Sequence, residues 1–157
     1  MSGKDRMLPA SAAHIVDLLG LEPLPDEGGL YRQTHIDHCS TAIYYLLLSP
    51  EISAIHRLAG PEIYHWYAGD PLELALLGGE EGFRDEVLGP DLAAGQRPQI
   101  VVPGGIWQGS RSSGSWTLLG TTMAPGFTWD HFTLGDRAEL IDQFPQAART
   151  IRALTRA

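Results

Sequence analysis

The sequence predicts an all-β fold, an antiparallel sandwich or barrel flanked by a helix near each end, and three observations carry that prediction. Short apolar or alternating runs follow one another through most of the chain: LYRQTHI, TAIYYLLLS, SAIHRL, EIYHWYAG, LELALLGG, QIVVPGG, IWQGS, SWTLLGTTM and TWDHFTL. The breaks between them are turn formers, namely Ser-Pro, Ala-Gly-Pro, Gly-Asp-Pro, Gly-Pro-Asp, Pro-Gly-Gly and Ala-Pro-Gly, spaced as hairpin connections space strands. No long helical period interrupts the series.

The elements can be justified in order. SAAHIVDLLG places Ile15, Leu18 and Leu19 on one helical face, with Ser11 as N-cap and Gly20 as the stop, so a short helix is expected. LEPLPDEGG, rich in proline, glycine and acid, reads as the loop before the first strand. The strands follow, and Pro125-Gly126 suits the centre of a type II turn with Gly126 at positive φ. At the end, Asp136 and Glu139 form a candidate capping box, and Leu140, Phe144, Ala147, Ile151 and Leu154 repeat at helical spacing, broken or kinked at Pro145. No internal repeat or composition shift marks a boundary, so residues 1–157 are expected to form one domain with its core at about 21–154.

Composition narrows the partners. The formal charge of -8 comes from scattered acids, with no basic stripe to neutralise a phosphate backbone, so nucleic acid is not expected. The longest apolar run, AIYYLLL at 42–48, is far short of the roughly 20 residues of a membrane-spanning helix. Lys4 and Arg6 precede a stretch interrupted by Pro9, His14 and Asp17, which lacks the apolar region of a secretory leader. The single Cys39 cannot close an internal disulfide, in keeping with a reducing, cytoplasmic location.

The chemistry concentrates in HRLAGPEIYHWYAG, residues 56–69. On a strand over 53–58, Ala54, His56 and Leu58 share one face and Ser53, Ile55 and Arg57 the other; on the next, Glu62, Tyr64 and Trp66 share one face and Ile63, His65 and Tyr67 the other. A buried glutamate needs a partner, and His56 is the nearest candidate for Glu62. His65 should face away unless a bulge turns it. His35 and His38, in HIDHCS, are read as surface, Trp107 as core or as a stacking ring, and Phe127, Trp129 and Phe132 as anchors of the last strands.

These residues resemble the small β-barrels called cupins, whose first motif runs from a glycine through His-x-His and a glutamate to a closing glycine. His56, Glu62 and Gly69 match it in spacing, while Leu58 stands where the second histidine belongs and Pro50 where the opening glycine does. Pro103, Gly105 and Gln108 reproduce the second motif, with glutamine in place of its histidine. Over nearly the whole chain, the order EGGLYRQT, STAIYYLL, SAIHRL, EIYHWYAGDPLEL, PQIVVPGGIWQGS and LLGTTMAPGFTWDHFTL is similar to the cupin-5 or DUF985 family. The resemblance implies a cupin double-stranded β-helix, a jelly-roll barrel like that of RmlC-type epimerases, commonly homodimeric, with the His56 face turned inward. It implies no settled reaction.

Two of the four usual metal-ligand positions have thus lost their imidazole, at Leu58 and Gln108, and no metal or other cofactor is expected. The expected chemistry is acid/base. Glu62 would fix the tautomer of His56, which acts as base, and Tyr64, or Tyr44 from a neighbouring strand, would act as acid. Trp66, Gln99 and Gln108 would bind the ligand. The leading functional expectation is a cofactor-free isomerase, epimerase or cyclase acting on a sugar-like or natural-product intermediate. The alternatives are a non-catalytic small-ligand-binding barrel and a metal-dependent oxygenase with a degraded ligand set.

Overall fold

In the computed structural model, which describes residues 12–157, two antiparallel sheets face one another. The chain opens with helix α1 (Ala12–Leu19) and continues through β1 (Glu22–Pro23), β2 (Leu30–Ile36), β3 (Thr41–Leu48), β4 (Ile52–Leu58) and β5 (Glu62–Gly69). Then come β6 (Leu72–Gly78), β7 (Gly82–Leu88), β8 (Gln99–Val102), β9 (Trp107–Ser112), β10 (Trp116–Met123) and β11 (Phe132–Leu134). Helices α2 (Arg137–Gln143) and α3 (Ala148–Ala153) close it. One sheet has the order β1-β2-β3-β10-β5-β8 and the other β11-β4-β9-β6-β7. The expectations for Ser11 and for the leader region fall at 1–11, outside the described residues.

Alternation along the strands sends side chains to three apolar layers. Tyr45, Leu47, Tyr64, Leu72, Leu74, Leu76, Leu88, Ile100, Val102 and Leu119 meet between the sheets. The outer face of the five-stranded sheet, with Ile55, Ala75 and Leu77, is covered by Leu140, Ala147, Ile151 and Leu154 of the C-terminal helices. On the outer face of the other sheet, Leu46 packs with Ile15 and Leu21. This is why both faces of β3 and β4 are apolar: each strand serves one layer inside the barrel and one beneath a helix.

Several expectations change here. Leu18 is exposed, so the buried stripe of α1 rests on Ile15, with Leu19 partly buried. The 82–88 segment GFRDEVL, not among the strands expected above, is the edge strand β7, paired with β6 along its length and bridged at Leu88 to Arg97; solvent on its outer side accepts Arg84, Asp85 and Glu86. In TWDHFTL the first half is a 3-10 turn, Trp129–His131, and only Phe132–Leu134 is strand. Gly126 is not at positive φ. Its constraint is close approach, since a Cβ there would lie 3.0 Å from Thr41 Cγ2 and 3.2 Å from the carbonyl carbon of Ser40. Asp136 caps α2 by accepting a hydrogen bond from the Glu139 N–H, 3.0 Å, and Pro145 separates α2 from α3.

Candidate functional site

A cavity of about 280 Å³ opens between the sheets, near the end of the barrel where β5 begins. Its polar wall includes Glu27, Gln33, Tyr45, Glu62, Tyr64 and Thr121, and its apolar wall includes Leu24, Ile43, Leu58, Met123 and the rings of Phe127, Trp129 and Phe132. Glu62 and Tyr64 reach it because β5 pairs with β10 on one side and β8 on the other, turning alternate residues inward. Thr121 of β10 lies opposite Tyr64 in that register.

Burial dominates the electrostatics. The Glu62 carboxyl is pushed up from 4.5 to about 7, first by loss of water and then by the neighbouring charge of Glu27, while His56 and hydrogen bonds from Thr121 and Tyr64 pull the other way. Burial, then the Glu62 carboxylate, holds the Tyr64 hydroxyl well above the ordinary phenol range, and burial with Glu27 does the same for Tyr45. Both phenols therefore stay protonated and serve as hydrogen-bond donors. The Tyr64 hydroxyl donates to Gln108 Oε1. It has one proton and two lone pairs, so while donating to Gln108 it can accept only from a protonated Glu62. Ionisation of Glu62 calls for that proton, and the hydroxyl must then exchange partners.

His56 does not touch the cavity. It is 1 % exposed, opposite Gln108 across the β4-β9 ladder, and its ring stacks on Phe132 with centroids 5.2 Å apart. Its Nδ1 lies 2.7 Å from the Ala54 carbonyl oxygen, which can only accept, so Nδ1 carries a proton. Its Nε2 lies 3.3 Å from Glu27 Oε1. The expected pairing of Glu62 with His56 is thus corrected: the tautomer is set by Ala54 and Glu27, and the histidine reaches the cavity only through Glu27.

Glu27 belongs to the loop that the sequence shows only as LEPLPDEGG. The loop folds inward because the two residues after it are glycines, with Gly29 at φ 79 and a Cβ at that position 2.6 Å from the Tyr45 hydroxyl oxygen. Tyr45 Oη donates to the Gly28 carbonyl at 2.6 Å, Ser53 Oγ donates to Glu27 Oε2 at 3.1 Å, and the Arg156 guanidinium donates to the Glu27 carbonyl at 3.1 Å. The legible signal was an acid directly before a glycine pair at a strand entrance, but nothing in the pattern says that such a loop turns into a barrel.

The other expected site residues separate. Tyr44 faces outward, edge-on to Tyr67 at 6.2 Å, and packs in the layer with α1; its neighbour Tyr45 has the inward parity and lines the cavity. Gln99 is exposed, its Nε2 3.4 Å from Nδ1 of His65, and His65 itself faces outward to Thr122 Oγ1 at 2.9 Å. Trp66 packs inward against the inter-sheet core but not on the cavity, and its indole N–H is buried with no partner among the described residues. Gln108 is buried behind Tyr64 rather than on the cavity wall. Trp107 lies outside the barrel beneath Arg57, whose guanidinium carbon is 4.5 Å from the ring centroid.

The donor set does not fit a cupin-type metal. Of the matching positions, Leu58 offers no donor atom, the Gln108 oxygen is engaged by Tyr64, and both nitrogens of His56 are engaged by Ala54 and Glu27. Among the described residues, one trio brings a ligand atom each within 4.8 Å of the others: Asp37, His38 and Cys39, all exposed. These occupy the β2-β3 turn, where Asp37 Oδ1 already accepts the backbone N–H groups of Cys39 and Ser40 at 2.8 Å each.

Comparison with known proteins bears on the fold and its relatives. The family profile described as Cupin superfamily (DUF985) matches residues 13–135. The structure is similar to that of a protein from Shewanella oneidensis, with 34 % identity, 92 % of this chain and 97 % of that chain covered, and a TM-score of 0.87. It is also similar to a hypothetical protein from Leishmania major, at 25 % identity, covering 94 % and 100 % of the two chains with a TM-score of 0.86. Oxalate decarboxylase from Bacillus subtilis, at 11 % identity, TM-score 0.58 and coverage of 85 % and 37 %, shares the fold alone. No functionally curated protein matches.

Proposed function

This chain belongs to the cupin superfamily, in the family described as DUF985, and we propose that it is an enzyme that moves a proton on a small molecule held in its barrel. The reaction class is isomerisation, epimerisation or cyclisation, without a metal or other cofactor. One observation carries this reading. Glu62, a cavity-lining carboxyl, is held by burial at about 7, where a general acid/base is most effective near neutral pH.

The geometry supports the following roles. Ionised Glu62, stabilised by hydrogen bonds from Thr121 and Tyr64, accepts a proton from the substrate, which releases those hydroxyls to donate to the oxygen on which charge develops. Glu27, with His56 Nε2 3.3 Å behind it, returns a proton at a second position, so the proton content of the substrate is unchanged. His56 is a positioning residue in this scheme, not the base. A second reading, a non-catalytic binding barrel, draws on the largely apolar wall formed by Leu24, Leu58, Met123, Phe127 and Trp129.

Deuterium exchange separates the two. In D2O at about pH 7, the wild-type protein should wash deuterium into carbon acids that bind it, and Glu62→Gln should do so at least ~10²-fold more slowly. A compound that binds but never exchanges supports the binding barrel instead.

We also propose a homodimer in a reducing, cytoplasmic compartment. Cys39 is free and exposed, and no helix of the described residues is long and apolar enough to cross a membrane. Strand β1 pairs with β2 only at Glu22 and Pro23, leaving much of β2 as an open edge that carries Ile36 at 66 % exposure. Light scattering at micromolar concentration should give twice the monomer mass; a monomer at every concentration contradicts the dimer.

A further inference from the structure

The carboxyls on the cavity wall are Glu27 and Glu62, and among the described residues no lysine or arginine lines it. A phosphate, a carboxylate or a nucleotide-linked sugar entering there would be desolvated against two acids, with no lysine or arginine of the described wall to receive it. At the mouth the wall is aromatic. Phe127, Trp129 and Phe132 stand edge-to-face, with centroids 5.0 Å apart for Phe127 and Trp129, 5.1 Å for Trp129 and Phe132, and 6.4 Å for Phe127 and Phe132. Rings packed in this way cover part of one another's faces, and the faces left toward the cavity attract cations. The Phe132 ring is itself stacked on His56, whose Nε2 faces Glu27, so the aromatic wall and the first carboxyl are both braced from behind by one buried histidine.

We infer that the cavity binds a compact organic cation, an amine or quaternary ammonium with a small polar tail, its charged head against the cavity side of the Phe127, Trp129 and Phe132 cluster and toward the carboxyls of Glu27 and Glu62. A volume of about 280 Å³ is near the lower end of small-molecule sites and limits the ligand to a small metabolite. Within that limit the cavity selects by charge. This inference rests on the proposed function only in using the same cavity, and it narrows the sugar-like or natural-product expectation to bases.

The test is a matched series in calorimetry: choline, its uncharged isostere 3,3-dimethylbutan-1-ol, and the anion 3,3-dimethylbutanoate. Choline should bind, the neutral alcohol roughly tenfold or more weakly, and the anion not measurably. Trp129→Leu, at a residue 47 % exposed, should keep the melting temperature and weaken choline roughly tenfold. If that variant is unstable, the order of the three probes on the wild type still decides. Equal or tighter binding of the alcohol or the anion, no choline binding at tens of millimolar, or full affinity in a folded Trp129→Leu protein would each overturn the inference. The readout is binding alone. Cation binding without proton exchange would keep this inference and remove the proposed function, whereas exchange confined to neutral or anionic compounds would do the reverse.

Discussion

Glu62→Gln should destroy proton exchange and at the same time stabilise the protein at alkaline pH. The two effects have one cause. The folded-state pKa of Glu62, about 7, lies above its ordinary value of 4.5, so over that interval the native state holds a proton that the unfolded chain releases. Native stability is therefore unaffected by this group below about pH 4.5, falls as pH climbs through the interval, and levels off above about 7. A gap of that size corresponds to a penalty on the order of 3 kcal/mol at pH 8. A neutral amide of the same shape escapes the penalty. The variant should melt higher than wild type at pH 8, by several degrees, with the difference vanishing near pH 4. Equal melting temperatures at pH 8 would mean that Glu62 ionises in the native state without cost.

His56→Ala should act in the opposite sense. Removing the ring takes away the partner of Glu27, which is 15 % exposed, orphans the Ala54 carbonyl and empties the space against Phe132. Loss of a largely buried ion pair together with a new cavity should cost about 2–3 kcal/mol, or ~5–10 °C in melting temperature for a chain of this size. A double-mutant cycle with Glu27→Gln isolates the pair. Once Glu27 is an amide, His56→Ala should cost about 1 kcal/mol less than it does in the wild type. Strictly additive costs would show that the two side chains do not interact.

The fold was legible because turn chemistry and alternation agree along the chain. The gaps fall where two causes compete. Strand β7 hides behind Arg84, Asp85 and Glu86, because an edge strand can carry charge on its solvent side. Tyr44 and Tyr45 could not be ranked, since β3 is apolar on both faces and adjacent tyrosines differ only in which layer they enter. Alternation correctly set Glu62, Tyr64 and Trp66 on one face, but a face is longer than a cavity, and Trp66 falls beyond its end. The spacing of His56 and Glu62 along the chain suggested a pair. What decides the partner of His56 is a loop more than twenty residues upstream, brought in by Gly28 and Gly29 and held by Tyr45, Ser53 and Arg156. No local pattern encodes that approach.

Carbon-13 NMR of the side-chain carboxyls, with Glu62 assigned by comparison with Glu62→Gln, measures the central quantity directly. Titration of the Glu62 signal with a midpoint near pH 7 is the predicted result. A midpoint near 4.5 would contradict it, leaving a carboxylate fully ionised at neutral pH and no poised acid or base in the barrel.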